Sequence, residues 1–228
     1  MKLGAFSDLH SNIYALEAML RGGSDVEQWV SLGDCVGLFP GVNAVLECFR
    51  AHGISAVRGN HEACLLSGEA LAHSFTGNEA LERQRAALSP ANLDYLRGLP
   101  HALTLELGGR RIRALHALSG ERDDRSAKYT FDLAAIDTAF AGFDIVLFGD
   151  THLPALCHCR DLLLVNPGSA GFPIDVTRRT SYAVVDTSEL TCELRRFDYD
   201  KQALLADIQR SGYNPALYRF VQTGAWGG

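Results

Sequence analysis

The feature that most constrains this chain is a unit that recurs through its first sixty residues: a short apolar run, a polar loop, then a stretch of helical period. Residues 2–7 read as a strand followed by Asp8-Leu9-His10-Ser11-Asn12. From about Ile13 onward, Ala15, Leu16, Met19 and Leu20 share one helical face. Residues 28–32 form the next strand, ending at Gly33-Asp34, and Val42, Val45, Leu46 and Phe49 give residues 43–50 a helical stripe. Residues 54–58 are the third strand, ending at Gly59-Asn60-His61-Glu62. Short strands alternating with helices argue for parallel βαβ units.

Residues 63–98 read as helical and more polar, with Ser89 as a cap and Pro90 in the first turn of a helix. A hairpin follows, residues 103–107 and 111–116 about a Gly108-Gly109 turn, then strands over 144–148, 162–165, 182–186 and 192–197. A last helix covers about 201–209. With no repeat or long linker, the chain reads as one domain over 1–212, carrying a mainly helical insertion at about 63–98, with a C-terminal tail over 213–228. Tyr213, Tyr218, Phe220 and Trp226 of that tail either pack back onto the domain or offer a self-association patch, so a homo-oligomer stays open.

The 228 residues are 47% hydrophobic and 21% charged, which excludes a disordered or fibrous chain. No apolar run approaches the roughly 18 residues that span a bilayer, and the N-terminus enters its first strand directly, so the expectation is a cytoplasmic protein without a membrane partner. A net charge of −6 argues against a broad nucleic-acid surface but not against a small phosphorylated substrate in a local site. The six cysteines are scattered and read as free thiols. His158, between Cys157 and Cys159, reads as a strand residue with alternating neighbours rather than an extra metal ligand.

The polar residues fall at strand ends. Asp8, Asp34 and Asn60 each lie just past a strand, where the carboxyl ends of a parallel sheet border a ligand crevice. Asp8 and His10, two residues apart, would point the same way from an extended chain. His116 ends the hairpin strand, and Asp150 and His152 repeat the spacing after the apolar run 145–148. Oxygen and imidazole ligands suit manganese, iron or zinc. Seven are too many for one ion, whereas two ions sharing a carboxylate, about 3.5–4 Å apart, would use them all. Such a pair is a solution for phosphate-ester hydrolysis. Singly, Asp8 and Asp34 could instead be helix caps.

The blocks Asp8-x-His10, Gly33-Asp34, Gly59-Asn60-His61-Glu62, His116 and Gly149-x-x-His152 resemble, in order, those of the calcineurin-like metallophosphoesterase family. The stretches Ser11-Asn12-Ile13-Tyr14-Ala15-Leu16 and Asn166-Pro167-Gly168-Ser169 are similar to its small bacterial and archaeal phosphodiesterase branch. The resemblance implies a four-layer α/β/β/α sandwich with two divalent metal ions, manganese foremost and iron, zinc or magnesium as alternatives. It implies a first ion on Asp8, His10 and His152, a bridging Asp34, and a second ion on Asn60, His116 and residue 150. His61 would serve the leaving group as an acid or cationic stabiliser, with Glu62 orienting it.

Two departures stand out: aspartate at 150 where the family has histidine, and Ala117 where glycine commonly follows the histidine. An extra carboxylate favours harder ions such as manganese or magnesium. Arg122 and Arg125, with Lys128, form either a solvated loop or a lid whose cations meet phosphate. The sequence thus reads as a metal-dependent phosphoesterase, a phosphodiesterase first, acting on a small phosphorylated substrate, nucleotides included. The alternatives are a phosphomonoesterase or dinucleotide-polyphosphate hydrolase, and a non-catalytic metal-binding scaffold whose second site has degenerated at Asp150.

Overall fold

The strands alternate strictly in what their two faces bury, and that alternation dictates the layering. In a computed structural model describing residues 1–71, 74–118 and 132–224, the elements in chain order are β1 (Lys2–Phe6), α1 (Ile13–Gly22), β2 (Gln28–Ser31), α2 (Val42–Ala51), β3 (Ser55–Ala56), α3 (Asn60–Ser67), α4 (Phe75–Ala87) and α5 (Pro90–Arg97). There follow β4 (Ala102–Leu107), β5 (Arg110–Leu115), α6 (Leu133–Ala139), β6 (Ile145–Leu147), β7 (Pro154–Cys159), β8 (Leu162–Pro167), β9 (Thr180–Asp186), β10 (Thr191–Phe197), α7 (Lys201–Arg210) and α8 (Pro215–Thr223). Arg122, Arg125, Lys128 and Trp226 lie outside the described residues.

The strands make two five-stranded sheets, ordered β10-β9-β1-β2-β3 and β4-β5-β6-β8-β7. In the first, β1, β2 and β3 are parallel, as the βαβ reading required, while β9 returns antiparallel to β1. In the second, β5, β6 and β8 are parallel, flanked by the antiparallel β4 and β7. Leu3, Ala5, Val30, Leu32, Ala183 and Val185 of the first sheet pack against Ile112, Ala114, Ile145, Leu147, Leu163 and Val165 of the second. The intervening residues face outward: Phe6, Tyr182 and Val184 pack under α1 and α2, and Val146, Phe148, Leu162 and Leu164 pack under α6 through Ile136. Helix, sheet, sheet and helix therefore stack in four layers, as expected. All parallel strands of both sheets run toward one edge, where the polar loops collect.

Four elements differ from the reading of the sequence. The third strand is only Ser55–Ala56, because Arg58 N–H leaves the sheet to bond Pro100 O at 2.7 Å. Strand β7 is added at the edge of the second sheet, and helix α6 covers that sheet's outer face. The segment taken as a tail from residue 213 contains α8: Asn214 caps it through Ala216 N–H, Pro215 sits in its first turn, and Gly224 ends it left-handed. Its Leu217, Phe220 and Val221, spaced i, i+3, i+4, are buried against α7 and Phe39. No helix among the described residues is long and apolar enough to cross a membrane.

Trp29 shows how tightly the first helix layer is fitted. Its indole lies edge-on to Phe6 at 6.1 Å and tilted to Tyr182 at 5.4 Å. A Cβ on Gly4 would sit 2.4 Å from the indole, and one on Gly23 would meet it at the same distance. Gly4→Ala is therefore expected to destabilise the fold by about 1–3 kcal/mol through overpacking, seen as a lower urea midpoint at unchanged denaturant slope.

Candidate metal centre

Left-handed backbone turns, not an extended chain, converge the polar residues. Asp8, His10, Asp34, Asp150 and His152 have φ of 55°, 52°, 52°, 66° and 58°. Each such turn costs a non-glycine residue about 1–2 kcal/mol, least for Asp and His, which tolerate this region best. Backbone bonds hold the turns: Asp8 N–H to Gly33 O at 3.1 Å, His10 N–H to Asp34 O at 2.9 Å and Ser11 N–H to Cys35 O at 2.8 Å knit the first two strand ends together. The expectation that Asp8 and His10 point alike from an extended segment gives way to this folded arrangement.

The Asn166-to-Ser169 stretch braces the other side. Asn166 Nδ2 donates to Gly149 O at 2.8 Å and to Thr151 Oγ1 at 3.0 Å, and Ser169 Oγ donates to Asp8 O at 2.7 Å. A Cβ on Gly149 would fall 1.8 Å from Ser7 Oγ. That close approach lets Asp150 N–H reach Asp8 Oδ2 at 3.2 Å.

Three imidazoles are oriented by backbone carbonyls. His10 Nδ1 bonds Val36 O at 3.3 Å, His116 Nδ1 bonds Leu32 O at 2.7 Å, and His152 Nδ1 bonds Phe172 O at 2.7 Å. Each bond spends the Nδ1 proton and aims Nε2 inward, the orientation a metal-binding histidine needs. His10 Nε2 and His152 Nε2 then lie 3.3 Å apart, and Asp8 Oδ1 lies 3.3 Å from His152 Nε2. On the other side His116 Nε2 lies 2.9 Å from Asn60 Oδ1, 3.5 Å from Asp34 Oδ1 and 3.6 Å from Asp150 Oδ1.

Helix α3 delivers Asn60, His61 and Glu62. Asp34 Oδ1 accepts the His61 N–H at 2.9 Å, so Asp34 does cap a helix, though α3 rather than the one that follows it. Glu62 was expected to orient His61. Its carboxylate accepts three backbone N–H groups, from Asp34 (2.9 Å), Val36 (2.9 Å) and Gly59 (2.7 Å), tying the Asp34 loop to the start of α3. His61 Nε2 lies 3.8 Å from Asp34 Oδ2, its ring edge-on to His10 at 4.5 Å. A residue without a sequence signal is Phe172, whose ring meets both His10 (5.9 Å) and His152 (5.8 Å) edge-on.

The charges in this buried cluster call for a cation. Burial pushes the Asp8 carboxyl up. For Asp34 burial acts the same way, but His116 and then His61 outweigh it and hold the group well below the usual carboxylate range. Burial, reinforced by His61 and His152, pushes His10 well below its ordinary value. His116 goes the other way: burial would lower it, yet Asp34, Asp8 and Asp150 push it up to about 10. Its two ring nitrogens face Leu32 O and Asn60 Oδ1, contacts that favour the protonated ring.

The residues fit divalent ions on two observations. Asp8 Oδ1 is buried with no hydrogen-bond donor among the described residues, and the Nε2 atoms of His10 and His152 face each other, each ring's Nδ1 being bonded to a backbone carbonyl. Two nitrogens at about 2.1 Å from one ion stand roughly 3 Å apart when their bonds are near right angles, which matches the 3.3 Å seen. Ligand atoms lie within 4.8 Å of one another in three groups: Asp8, His10 and His152; His10, Asp34 and His61; Asp8, Asp34 and His116. Because His116 must lose its proton to offer Nε2, affinity for Mn²⁺ is expected to rise with pH between about 6 and 9, by up to roughly tenfold per unit. Calorimetric titration of the metal-stripped protein at several pH values checks this; an affinity that falls with pH contradicts it.

Comparison with known proteins agrees with this architecture. Residues 1–190 match the calcineurin-like phosphoesterase superfamily domain. The uncharacterized protein MJ0912 of Methanocaldococcus jannaschii is 27% identical over 216 residues, 87% of this chain and 88% of its own. The probable metallophosphoesterase YsnB of Bacillus subtilis is 29% identical over 128 residues, 54% of this chain and 72% of its own. The crystal structure of a metallophosphoesterase from Sphaerobacter thermophilus shares the fold with a TM-score of 0.80, at 22% identity over 99% of this chain and 100% of that one. A family match over most of the sequence, met by strand ends folded to gather acidic and imidazole ligands, makes this chain a member of the calcineurin-like phosphoesterase superfamily.

Proposed function

We propose that the protein hydrolyses phosphodiesters in small phosphorylated substrates, nucleotides among them, using two divalent ions, manganese foremost. The observation that carries this reading is the sharing of Asp34. One of its oxygens faces His116 at 3.5 Å, the other faces His61 at 3.8 Å, and it groups with His10 on one side and with Asp8 and His116 on the other. In this reading Asp8, His10 and His152 hold one ion, Asn60, His116 and Asp150 hold the second, and Asp34 serves both. Bound ions supply positive charge toward phosphoryl oxygens and a water acidic enough to attack phosphorus near neutral pH.

The chain's own groups do the rest. His61 is buried to 8% exposure, which leaves it an edge on the cleft. Asp34 beside it supports a positive ring, so His61 can give a proton, or a positive charge, to the departing oxygen. Asn60 has Oδ1 engaged by His116 and keeps two Nδ2 hydrogens for an equatorial phosphoryl oxygen. Diester over monoester rests on the likeness of the Ser11-to-Leu16 and Asn166-to-Ser169 stretches to the small phosphodiesterase branch. The structure gives the second of those stretches its task of bracing the Asp8 and Asp150 turns.

His61→Ala is expected to lower kcat on an aryl phosphodiester by roughly 10²–10⁴-fold while Mn²⁺ binding persists; undiminished turnover would remove His61 from the chemistry. Asp150→His, assayed beside wild type, separates the readings of the second site. A wild type that turns over well shows that aspartate supports catalysis there. A silent wild type with an active Asp150→His would favour the scaffold.

A further inference from the structure

The helical stretch between α3 and β4 carries no recognisable motif, yet one of its side chains reaches the wall of the cleft. Gln84 of α4 is fully buried. Its Oε1 accepts the Gly37 N–H at 2.7 Å, and its Nε2 donates to Phe39 O at 2.6 Å. A side-chain amide here occupies the place of a neighbouring strand, satisfying one donor and one acceptor of the loop. That loop is conformationally costly: Asp34 and Leu38 both have a left-handed φ of 52°. It is also the surface against which His61 rests, since a Cβ on Gly37 would lie 2.1 Å from His61 Nδ1.

We infer that Gln84 is a positioning residue: by clamping Gly37 and Phe39 it fixes the wall that holds the His61 ring at the angle required to serve the leaving-group oxygen. This rests on the phosphoesterase reading above. Helix α4 is itself braced from the C-terminal helices. The Gln84 amide meets the Tyr213 side chain, Arg83 lies over the Tyr213 ring at 5.6 Å, and Asn214 Nδ2 donates to Glu79 Oε2 at 2.9 Å. The connection between α7 and α8 thus backs the clamp.

Removing the clamp should harm the step His61 assists and spare metal binding, because Gln84 belongs to neither ligand set. The test uses Mn²⁺-loaded protein and two aryl phosphodiesters that differ only in the leaving group, 4-nitrophenolate or unsubstituted phenolate. Gln84→Leu is expected to lower kcat roughly tenfold more on the phenolate substrate than on the nitrophenolate one, with KM within about twofold and Mn²⁺ content unchanged. His61→Ala should show the same tilt, and adding Gln84→Leu to it should produce no further tilt. Gln84→Glu keeps an acceptor for Gly37 and loses the donor to Phe39, so it should fall between. Equal losses on both substrates would mean a merely structural role and would overturn the inference.

A measurement without turnover keeps the inference testable if the wild type hydrolyses neither substrate, an outcome that would count against the proposed function. In magnesium-loaded protein, Gln84→Leu should shift the NMR signals of the His61 ring and speed amide exchange at Gly37, while exchange in α1 and α2 stays as in wild type. An unmoved His61 signal would overturn the proposal whatever the activity.

Discussion

Unneutralised charge is the constraint on which the rest of this structure depends. Asp8 and Asp34 are essentially buried, Asp150 nearly so, and all lie within a few ångströms of three inward-facing imidazole nitrogens. A buried carboxylate is tolerable only with compensation. His116, pushed up to about 10 by its carboxylate neighbours, faces several of these oxygens, and Asp8 Oδ1 has no hydrogen-bond donor among the described residues. The fold spends backbone strain to maintain this arrangement: five of the converging residues sit in left-handed turns. Strain held in place by so many braces marks a site whose geometry matters more than its contribution to stability.

The braces are themselves layered. Backbone carbonyls aim His10, His116 and His152, while Glu62 and Asn166 hold the loops from which Asp34 and Asp150 project. Gln84 reaches in from a helix outside the sandwich. The inner layers hold the ligand atoms and the outer ones fix His61, so changes at each depth should damage different steps. The central sheets supply the rigid platform: the inter-sheet core of Leu3, Val30, Ile145 and Val165 leaves little room for the strand ends to drift.

Much of this was legible in the sequence because it rests on periodicity and on strand ends. The alternation of strand and helix through Ala56 announces the parallel sheet, and the positions of Asp8, Asp34, Asn60, His116 and His152 announce the crevice. Local geometry was harder to see. Two-residue spacing suggested extended segments at Asp8 and His10, but nothing in an Asp or His codes for a left-handed turn; the loops bonded to them impose it. The resemblance gives Glu62 a role beside His61, but the three backbone N–H groups that fold against its carboxylate leave no trace in the sequence. Helix α8 carried readable signals in Asn214-Pro215 and in Leu217, Phe220 and Val221, which a glycine-rich end obscured. Gln84 had no signal of its own, since a polar residue in a polar helix shows its burial only once packed.

The most direct test of the whole account is turnover of an activated aryl phosphodiester as metal-stripped protein is titrated with Mn²⁺, with bound metal counted per chain. Metal-free protein should be silent and show little activity with the first ion, and turnover should climb and saturate as the second ion binds. Turnover that survives metal stripping, or a protein that binds two ions and stays silent, would contradict it.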